Sequence, residues 1–287
     1  RREWIVERLK LLTEMFAIDV ASYAIMMNHY HVLVRVNVEK SAAWTASEIF
    51  EHWNILFEVP DLMKQYLAGN LLEDEDIQAA ENMIEIYRER LTSISWFMRC
   101  LNEHIARCAN FEDKCTGRFW EGRFKSQAIF DEAALINTMV YIDLNPIRAM
   151  IAETPESSVY TSIAERIAGR NLATDVRCAF LGKLMPFMDV KGLATEPCIT
   201  MQLTDYIELV DWTGRQIRPD KRGLISNTAP PILARLGIEQ GSWLQNCQKL
   251  EEDFHQVIGP AAAVEKFCQA IGQKWLHGIH SCRRCFG

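Results

Sequence analysis

Two histidines separated by one residue are the first candidates for chemistry in this sequence. His29 and His31 lie in the run Asn28-His29-Tyr30-His31, and the residues that follow are rich in valine, as is typical of a strand. Residues i and i+2 of a strand share a face, so both imidazoles are expected on one side of a sheet. Such a pair could ligate a divalent metal. A lone His-x-His is more often one packed and one solvated histidine, so both interpretations stay open here.

A tyrosine and an amide at helical spacing are the second candidates. Tyr141 and Asn145 are four residues apart, which places them one turn apart on one face of a helix. They could then meet the same site, the tyrosine as an attacking group and the amide as a metal ligand. Taken alone, the pattern also fits a half-buried packing tyrosine and an asparagine at a helix end before Pro146.

A basic and aromatic segment precedes this helix. It contains Arg118, Phe119, Trp120, Arg123, Phe124 and Lys125. Positive charges interleaved with aromatic rings suit the binding of a single nucleic-acid strand. The alternative is that alternate aromatic residues line the core while the charged residues face solvent. We expect Arg123 and Lys125 to contact phosphate, and Arg148 to be a further candidate. A second basic cluster, Arg215–Arg222, could hold a duplex stem or be a solvated turn.

The nine cysteines form no disulfide framework. Most lie in apolar, helical settings, where a reduced buried thiol is the usual state, and this predicts a cytoplasmic protein. The only close pair is Cys282-x-x-Cys285, with His277 and His280 just before it. These four residues could bind zinc, but no second pair accompanies them, and the end of a frayed helix is the alternative.

Charge and hydropathy limit the choice of partners. The formal net charge is −7, and residues 61–95 contribute −5 of it through eight acidic and three basic side chains. The rest of the chain is nearly neutral, so nucleic-acid binding is permitted by the composition without being indicated by it. No run reaches the roughly 18 to 20 apolar residues that a membrane helix needs. The first apolar stretch is broken by charges, so neither a signal peptide nor a membrane partner is predicted.

Periodicity indicates which elements must position these residues. The coarse prediction is an α/β domain to about residue 165, followed by a mainly helical region. The predicted elements are a helix over 3–16, strands over 18–26 and 30–36 joined by Met27-Asn28, helices over 42–57 and 76–108 with the second divided near Thr92-Ser93, a strand over 118–130, and a helix from the cap Asp131 to about residue 144, which Pro146 should stop.

Three separated blocks, taken together, are similar to a known family. They are Asn28-His29-Tyr30-His31, the segment Arg118–Ser126, and Tyr141-Ile142-Asp143-Leu144-Asn145-Pro146-Ile147-Arg148-Ala149. In this order they resemble the single-tyrosine HUH transposases, and most closely the REP-associated tyrosine transposases. The resemblance covers residues 1–165. It continues more loosely at Asp211–Arg215 and at Lys221-Arg222-Gly223.

The resemblance implies an α+β fold. Residues 1–165 would form a ferredoxin-like HUH domain, with helices packed on an antiparallel sheet and an acidic helical insert near 61–95. Residues 166–287 would form a mainly helical C-terminal domain, for which DNA binding and occlusion of the active site are both open. The family fold begins with a strand before its first helix. No residue before Arg1 supplies it, so we expect the domain as given to lack that strand.

The resemblance also assigns roles to the candidate residues. His29, His31 and Asn145 would bind Mg²⁺ or Mn²⁺, and Tyr141 would attack a DNA phosphate, giving a 5′-phosphotyrosine bond and a free 3′-hydroxyl. The DNA would be a single strand or a hairpin. Its expected contacts are Arg118, Arg123, Phe124, Lys125 and Arg148. The expected protein is therefore a DNA-nicking and strand-transfer enzyme of the cytoplasm, associated with the nucleoid.

Other functions remain compatible with the sequence. A domesticated protein could recognise hairpins without cutting them, although it would not need His29, His31 and Tyr141 together. A replication or conjugation initiator uses the same chemistry, but it usually carries a fused helicase or a second tyrosine in the motif. A purely structural metal-binding protein is the weakest alternative. Monomer and dimer both remain open, with the monomer favoured by the relatives of closest resemblance.

Overall fold

The computed structural model describes residues 1–70, 73–170, 184–188, 197–217, 233, 236, 238–254, 256–274 and 276–286. The fold is α+β, as predicted, with helices in the majority and a small two-stranded antiparallel sheet. The chain divides into two compact units. Unit 1 comprises Arg1–Val20 and Val34–Arg123, and unit 2 comprises Ala21–Leu33 and Phe124–Gly287. The functional boundary expected near residue 165 stays a prediction.

The antiparallel sheet is a hairpin whose strands contribute residues to both units. Strand β1 spans Ile18–Ile25 and strand β2 spans Tyr30–Val36, as the sequence predicted. Residues Met27 and Asn28 form the connection, and the Met26 N–H donates to the His29 carbonyl at 2.9 Å. Seven of the eight β1 residues are buried, whereas every β2 residue is half-buried. The buried strand β1 therefore holds β2 in place, and β2 begins directly after His29 and contains His31.

Unit 1 is built from helices that pack on one another. Its helices are α1 (Arg2–Met15), α2 (Val38–Ala43), α3 (Ala46–Leu56), α4 (Asp61–Leu67), α5 (Asp74–Leu91) and α6 (Ile94–Glu112). Helix α1 packs on α6, and α3 packs on α5. Phe16 and Phe97 meet edge to face in the core at 5.4 Å between ring centroids, an arrangement that aromatic pairs favour. The division of 76–108 into two helices near Thr92-Ser93 is confirmed.

One helix predicted in this unit is two helices. The pattern over 42–57 predicted a single helix, but α2 ends at Ala43 and α3 begins at Ala46. Thr45 causes the break, because it forms a capping box with Glu48 in which each side chain bonds the other residue's backbone N–H. That arrangement satisfies two amides at the start of α3 and requires an extended backbone at Thr45.

Unit 2 carries the candidate nucleophile and most of the C-terminal half. Its elements are strand β3 (Ala128–Ile129), helices α7 (Glu132–Asp143), α8 (Asn145–Arg148), α9 (Ser162–Arg170), α10 (Leu203–Ile217) and α11 (Gln240–Asp253), strand β4 (Val257–Ile258), and helices α12 (Ala261–Ala270) and α13 (Ile279–Phe286). The mainly helical character predicted after about residue 165 is confirmed for the described residues. Helix α11 packs along α7 and also contacts α10 and α13.

The long strand predicted over 118–130 is wrong. Only Ala128–Ile129 is a strand, and it pairs in parallel with β4. A strand needs a partner for its backbone groups, and β4 supplies one only here: Ala128 N–H donates to Gln256 and Phe130 N–H to Ile258, at 2.8 and 3.0 Å. Residues 118–127 have the alternating pattern, but no strand within the described ranges pairs with them.

Among the described residues, no helix has the length and apolar character required to cross a membrane.

Candidate functional site

The hairpin turn positions the two candidate histidines. His29 is the residue immediately before β2 and is exposed, and His31 is the second residue of β2 and is half-buried. Their ring centroids are 5.0 Å apart and the ring planes are nearly perpendicular, at 85°. The two imidazoles are therefore brought together, as the i, i+2 spacing predicted.

An oxygen atom faces the Nδ1 atom of each histidine. Nδ1 of His29 is 2.8 Å from Oδ1 of Asn28, a hydrogen-bonding distance. Nδ1 of His31 is 3.5 Å from Oε1 of Glu251, which belongs to α11. Among the described residues, Nε2 of His31 is buried without a hydrogen-bond partner. A buried polar atom without a partner is costly, and a bound cation would remove that cost.

The electrostatic surroundings favour the neutral form of His31. Burial lowers the pKa of His31, and the positive charges of His29 and Arg148 lower it further, whereas Glu251 opposes them. A neutral imidazole has a lone pair on one nitrogen, which is the form that binds metals. The neutral state that burial imposes on His31 is thus the state a ligand requires.

Tyr141 lies in the last turn of α7. The helix begins at the predicted cap, because the Asp131 side chain accepts a hydrogen bond from the Ala134 N–H at 2.8 Å. It ends at Asp143, shortly before Pro146, also as predicted. Tyr141 is only 4% exposed. Its ring meets that of His31 edge to face, at 6.1 Å between centroids.

Arg148 contacts both Tyr141 and helix α11. Its guanidinium carbon lies 4.4 Å from the centroid of the Tyr141 ring, a cation–π distance. Its Nη2 donates to the Gln248 carbonyl at 2.6 Å. Helix α11 has a non-helical residue at Lys249, and the carbonyl just before this kink is the one that Arg148 binds. The kink also precedes Leu250 and Glu251, the turn of α11 that faces Tyr141 and His31.

Opposing influences act on the Tyr141 hydroxyl. Burial raises its pKa, and so does the negative charge of Glu251. The Arg148 guanidinium lowers it, by hydrogen bonding and by its charge. Burial is the largest of these causes, so the protein alone keeps the phenol protonated at neutral pH. An additional cation beside the reacting atoms would be needed to favour attack by the phenol oxygen.

A buried network fixes the end of α7 next to Tyr141. Asp143 is fully buried and accepts hydrogen bonds from the Ser162 hydroxyl at 2.6 Å, the Tyr206 hydroxyl at 2.5 Å and the Ile163 N–H at 3.1 Å. Burial raises the pKa of this carboxyl to about 6. Three donors on one carboxylate tie α7 to α9 and α10 and so hold the last turn of α7, including Tyr141, in place.

Asn145, the expected third ligand, is the first residue of α8 and is buried, at 9% exposed. Leu144 separates α7 from α8, with backbone angles close to helical. Asn145 therefore still follows Tyr141 by about one helical turn. Two imidazole nitrogens and one amide oxygen are a donor set suited to a divalent cation, and three neutral ligands leave positions for phosphate oxygens and water. The chemistry of these three donors suits the expected cation, and metal binding by them stays a prediction.

The basic segment lies outside regular structure. Arg118, Arg123, Phe124 and Lys125 are all exposed, and Phe124 is 37% exposed. Trp120 is half-buried, and its indole N–H donates to the Asn102 carbonyl at 2.9 Å. The division between the units falls between Arg123 and Phe124. The charged residues face solvent, as either interpretation of the segment expects.

The remaining candidates lie elsewhere. The Cys282 and Cys285 side chains are buried on α13, and the Cys285 thiol donates to the Asn246 side chain at 2.8 Å. No group of three His, Cys, Asp or Glu side chains within the described ranges could hold a metal ion. In the second basic cluster, Arg215 pairs with Asp211 on α10, and residues 218–222 lie outside the described residues.

Sequence reasoning missed Glu251. It is 220 residues from His31 and lies in the acidic run Glu251-Glu252-Asp253, where nothing in the residue pattern distinguishes it from its neighbours. Only the packing of α11 on α7, through Leu250 and Phe254, brings it beside Tyr141 and His31.

Comparison with known proteins gave no match: no family model, no curated protein and no solved structure matches this chain.

Proposed function

We propose that this protein is a metal-dependent single-strand DNA endonuclease and transposase of the HUH class, similar to the REP-associated tyrosine transposases. The observation that carries the proposal is the meeting of His29, His31 and Tyr141 in one place, although 110 residues separate His31 from Tyr141. Two imidazoles and a phenol are the groups needed to bind a cation and to attack phosphorus beside it. Within this proposal, β1, β2 and α7 are parts of a ferredoxin-like domain.

The metal would be held by His29, His31 and Asn145. When bound, Mg²⁺ or Mn²⁺ would polarise the scissile phosphate and offset the charge that develops during attack. The Tyr141 oxygen forms a bond to phosphorus while the bond from phosphorus to the 3′-oxygen breaks. The phenol loses its proton and the 3′-oxygen gains one. The products are a 5′-phosphotyrosine and a 3′-hydroxyl, and the phosphodiester energy is kept for rejoining the strand.

The residues around Tyr141 would orient it for this step. Arg148 holds the aromatic ring from one side and carries a positive charge that favours the phenolate. Asp143 and its three donors fix the turn of α7 that bears Tyr141. Positioning of this kind supplies much of the rate acceleration when one strand must be attacked in line.

The DNA would be bound as a single strand or as the unpaired part of a hairpin. Arg118, Arg123 and Lys125 are exposed cations, and Phe124 offers an exposed ring for stacking on a base. These features support a nucleic-acid surface without specifying its sequence. A cytoplasmic, nucleoid-associated protein that acts as a monomer fits this proposal.

The proposal is tested by covalent capture of DNA. Labelled single-stranded palindromic DNA from around the gene is incubated with Mn²⁺ or Mg²⁺ and the full chain, and the products are separated on a denaturing gel. We expect a protein–DNA adduct that disappears with Tyr141→Phe and with chelator. Tyr66→Phe, a substitution of a half-buried tyrosine on α4, is the matched control and should leave the adduct unchanged.

A second function is favoured by one specific observation. Tyr141 is almost fully buried and its pKa is raised, which are poor properties for a nucleophile and acceptable ones for a packing residue. The protein would then be a hairpin-binding protein that no longer cuts. In that case the wild type binds the same DNA in a gel-shift assay but forms no adduct with either metal.

A further inference from the structure

The two candidate histidines share an arrangement that the proposed chemistry does not by itself require. In each, Nδ1 is turned towards a side-chain oxygen: Asn28 Oδ1 for His29, and Glu251 Oε1 for His31. An oxygen that only accepts hydrogen bonds favours the tautomer with its proton on Nδ1. The lone pair then lies on Nε2, the nitrogen of His31 that is buried and has no hydrogen-bond partner in the part of the chain that the structure describes.

Histidines that bind metals usually donate their other N–H to a carboxylate or a carbonyl, which fixes the ring orientation and makes the ligand more basic. The Glu251 carboxylate is positioned to do this for His31. The present separation of 3.5 Å is slightly longer than a hydrogen bond, and a small rotation of either side chain would close it.

We propose that Glu251, contributed by helix α11, is a positioning residue that holds His31 as the Nδ1–H tautomer with Nε2 ready to bind the metal. This inference rests on the proposed metal site and adds to it a residue from outside the three blocks of the family resemblance. It gives the C-terminal region a role: its packing on α7 completes the surroundings of a ligand carried by the hairpin.

The packing of α11 explains how the Glu251 carboxylate is placed beside His31. Leu250 and Phe254 are buried in the same apolar cluster as Tyr141, which fixes the turn on both sides of Glu251. The kink at Lys249 and the bond from Arg148 to the Gln248 carbonyl fix the preceding turn. Glu251 itself is 57% exposed. An exposed charge of this kind contributes little to stability, so its removal should act on its neighbours His31 and Tyr141 and not on the fold.

The test combines the tautomer of His31 with its metal affinity, using the full chain. Long-range ¹H–¹⁵N spectra of the metal-free protein report which ring nitrogen carries the proton, with His31→Gln used to assign the signal. We expect the Nδ1–H form in the wild type and a shift towards Nε2–H in Glu251→Ala. Glu251→Gln keeps an accepting oxygen and should retain the wild-type tautomer.

Mn²⁺ affinity, measured by titration calorimetry, is the second readout. We expect Glu251→Ala to bind about 10- to 100-fold more weakly, the usual effect of losing such a partner, and Glu251→Gln to lie between it and the wild type. The adjacent exposed Glu252 provides the control, since Glu252→Ala removes the same charge from the same turn. It should change neither the tautomer nor the affinity.

The outcomes separate this inference from the proposed function. If the wild type binds Mn²⁺ and His31→Gln abolishes binding, while Glu251→Ala has the tautomer and affinity of the wild type, the role of Glu251 is refuted and the metal site stands. If His31→Gln binds as tightly as the wild type, the metal site itself fails. If Glu251→Ala and Glu252→Ala weaken binding equally, the effect is one of general charge, which also overturns the proposal.

Discussion

At the scale of single residues, the contact between Arg148 and Tyr141 is the one that would favour the phenolate in the proposed reaction. The guanidinium lies over the ring at 4.4 Å and lowers the pKa of a phenol that burial raises. It is also held by the Gln248 carbonyl. Lysine lacks a planar guanidinium group, which can stack on a ring and donate a hydrogen bond at the same time. Only arginine is therefore expected both to stack on Tyr141 and to bond the Gln248 carbonyl.

We therefore expect Arg148→Gln to slow adduct formation about tenfold at saturating DNA and Mn²⁺, the effect of losing a cation–π contact and its charge. Arg148→Lys should fall between it and the wild type. The exposed Arg107 on α6 gives a control, Arg107→Gln, with no expected effect. If Arg148→Gln weakens DNA binding while the rate at saturation is unchanged, Arg148 is a phosphate contact and does not position Tyr141.

The residues of the candidate site differ in how far the sequence could predict them. His29 and His31 are two residues apart where strand β2 begins, so their proximity followed from local geometry alone. The meeting of Tyr141 with His31 could be expected only from the resemblance of three blocks, since no periodicity connects residues 110 positions apart. Glu251 could not be predicted, because its place depends on how α11 packs and kinks.

At the scale of elements, hydrophobic periodicity predicted α1, β1, β2, α5, α6 and α7 closely, since each forms its own hydrogen bonds or pairs across a two-residue turn. The prediction of a strand over 118–130 was wrong because a strand depends on a partner elsewhere in the chain. An alternating hydrophobic pattern indicates which residues could face a core, but a strand also needs a second strand to bond its backbone groups. The neighbour here, β4, lies about 130 positions later and is two residues long.

A pH-dependent stability is expected from helix α3. His52 packs edge to face against Trp44, with ring centroids 4.4 Å apart, and its Nδ1 is buried without a partner among the described residues. Burial lowers the pKa of His52, and the Lys40 charge lowers it further. In the unfolded chain a histidine titrates near pH 6.5. On acidification the unfolded state therefore takes up this proton first, and stability is lost as the pH falls below about 6.5.

We expect the free energy of unfolding in urea to fall between pH 7.5 and pH 5.5 in the wild type, and to fall less in His52→Gln, which cannot take up the proton. Comparing the two proteins cancels the contribution of other groups, including Asp143, whose raised pKa acts in the opposite direction. Equal pH dependence in both proteins would show that His52 is not the responsible group.

At the scale of the whole molecule, the distribution of charge decides where a nucleic acid can bind. The chain carries a net charge of −7, and residues 61–95 account for −5 of it. A net negative charge opposes DNA binding, so the proposed binding must depend on a few local cations. The exposed cations Arg118, Arg123 and Lys125 occur within eight residues of sequence, and no comparable group of exposed cations occurs in helices α4 and α5.

Binding through so few phosphate contacts predicts a measurable salt dependence. Each contact to a single strand releases counterions and contributes about −0.7 to the slope of log K against log salt concentration. We expect Arg123→Gln and Lys125→Gln each to reduce the magnitude of that slope by about 0.7. Lys64→Gln, which removes a cation from the acidic region, should leave the slope unchanged. An unchanged slope in both Arg123→Gln and Lys125→Gln would mean that segment 118–126 only packs, and that the DNA is held by another surface.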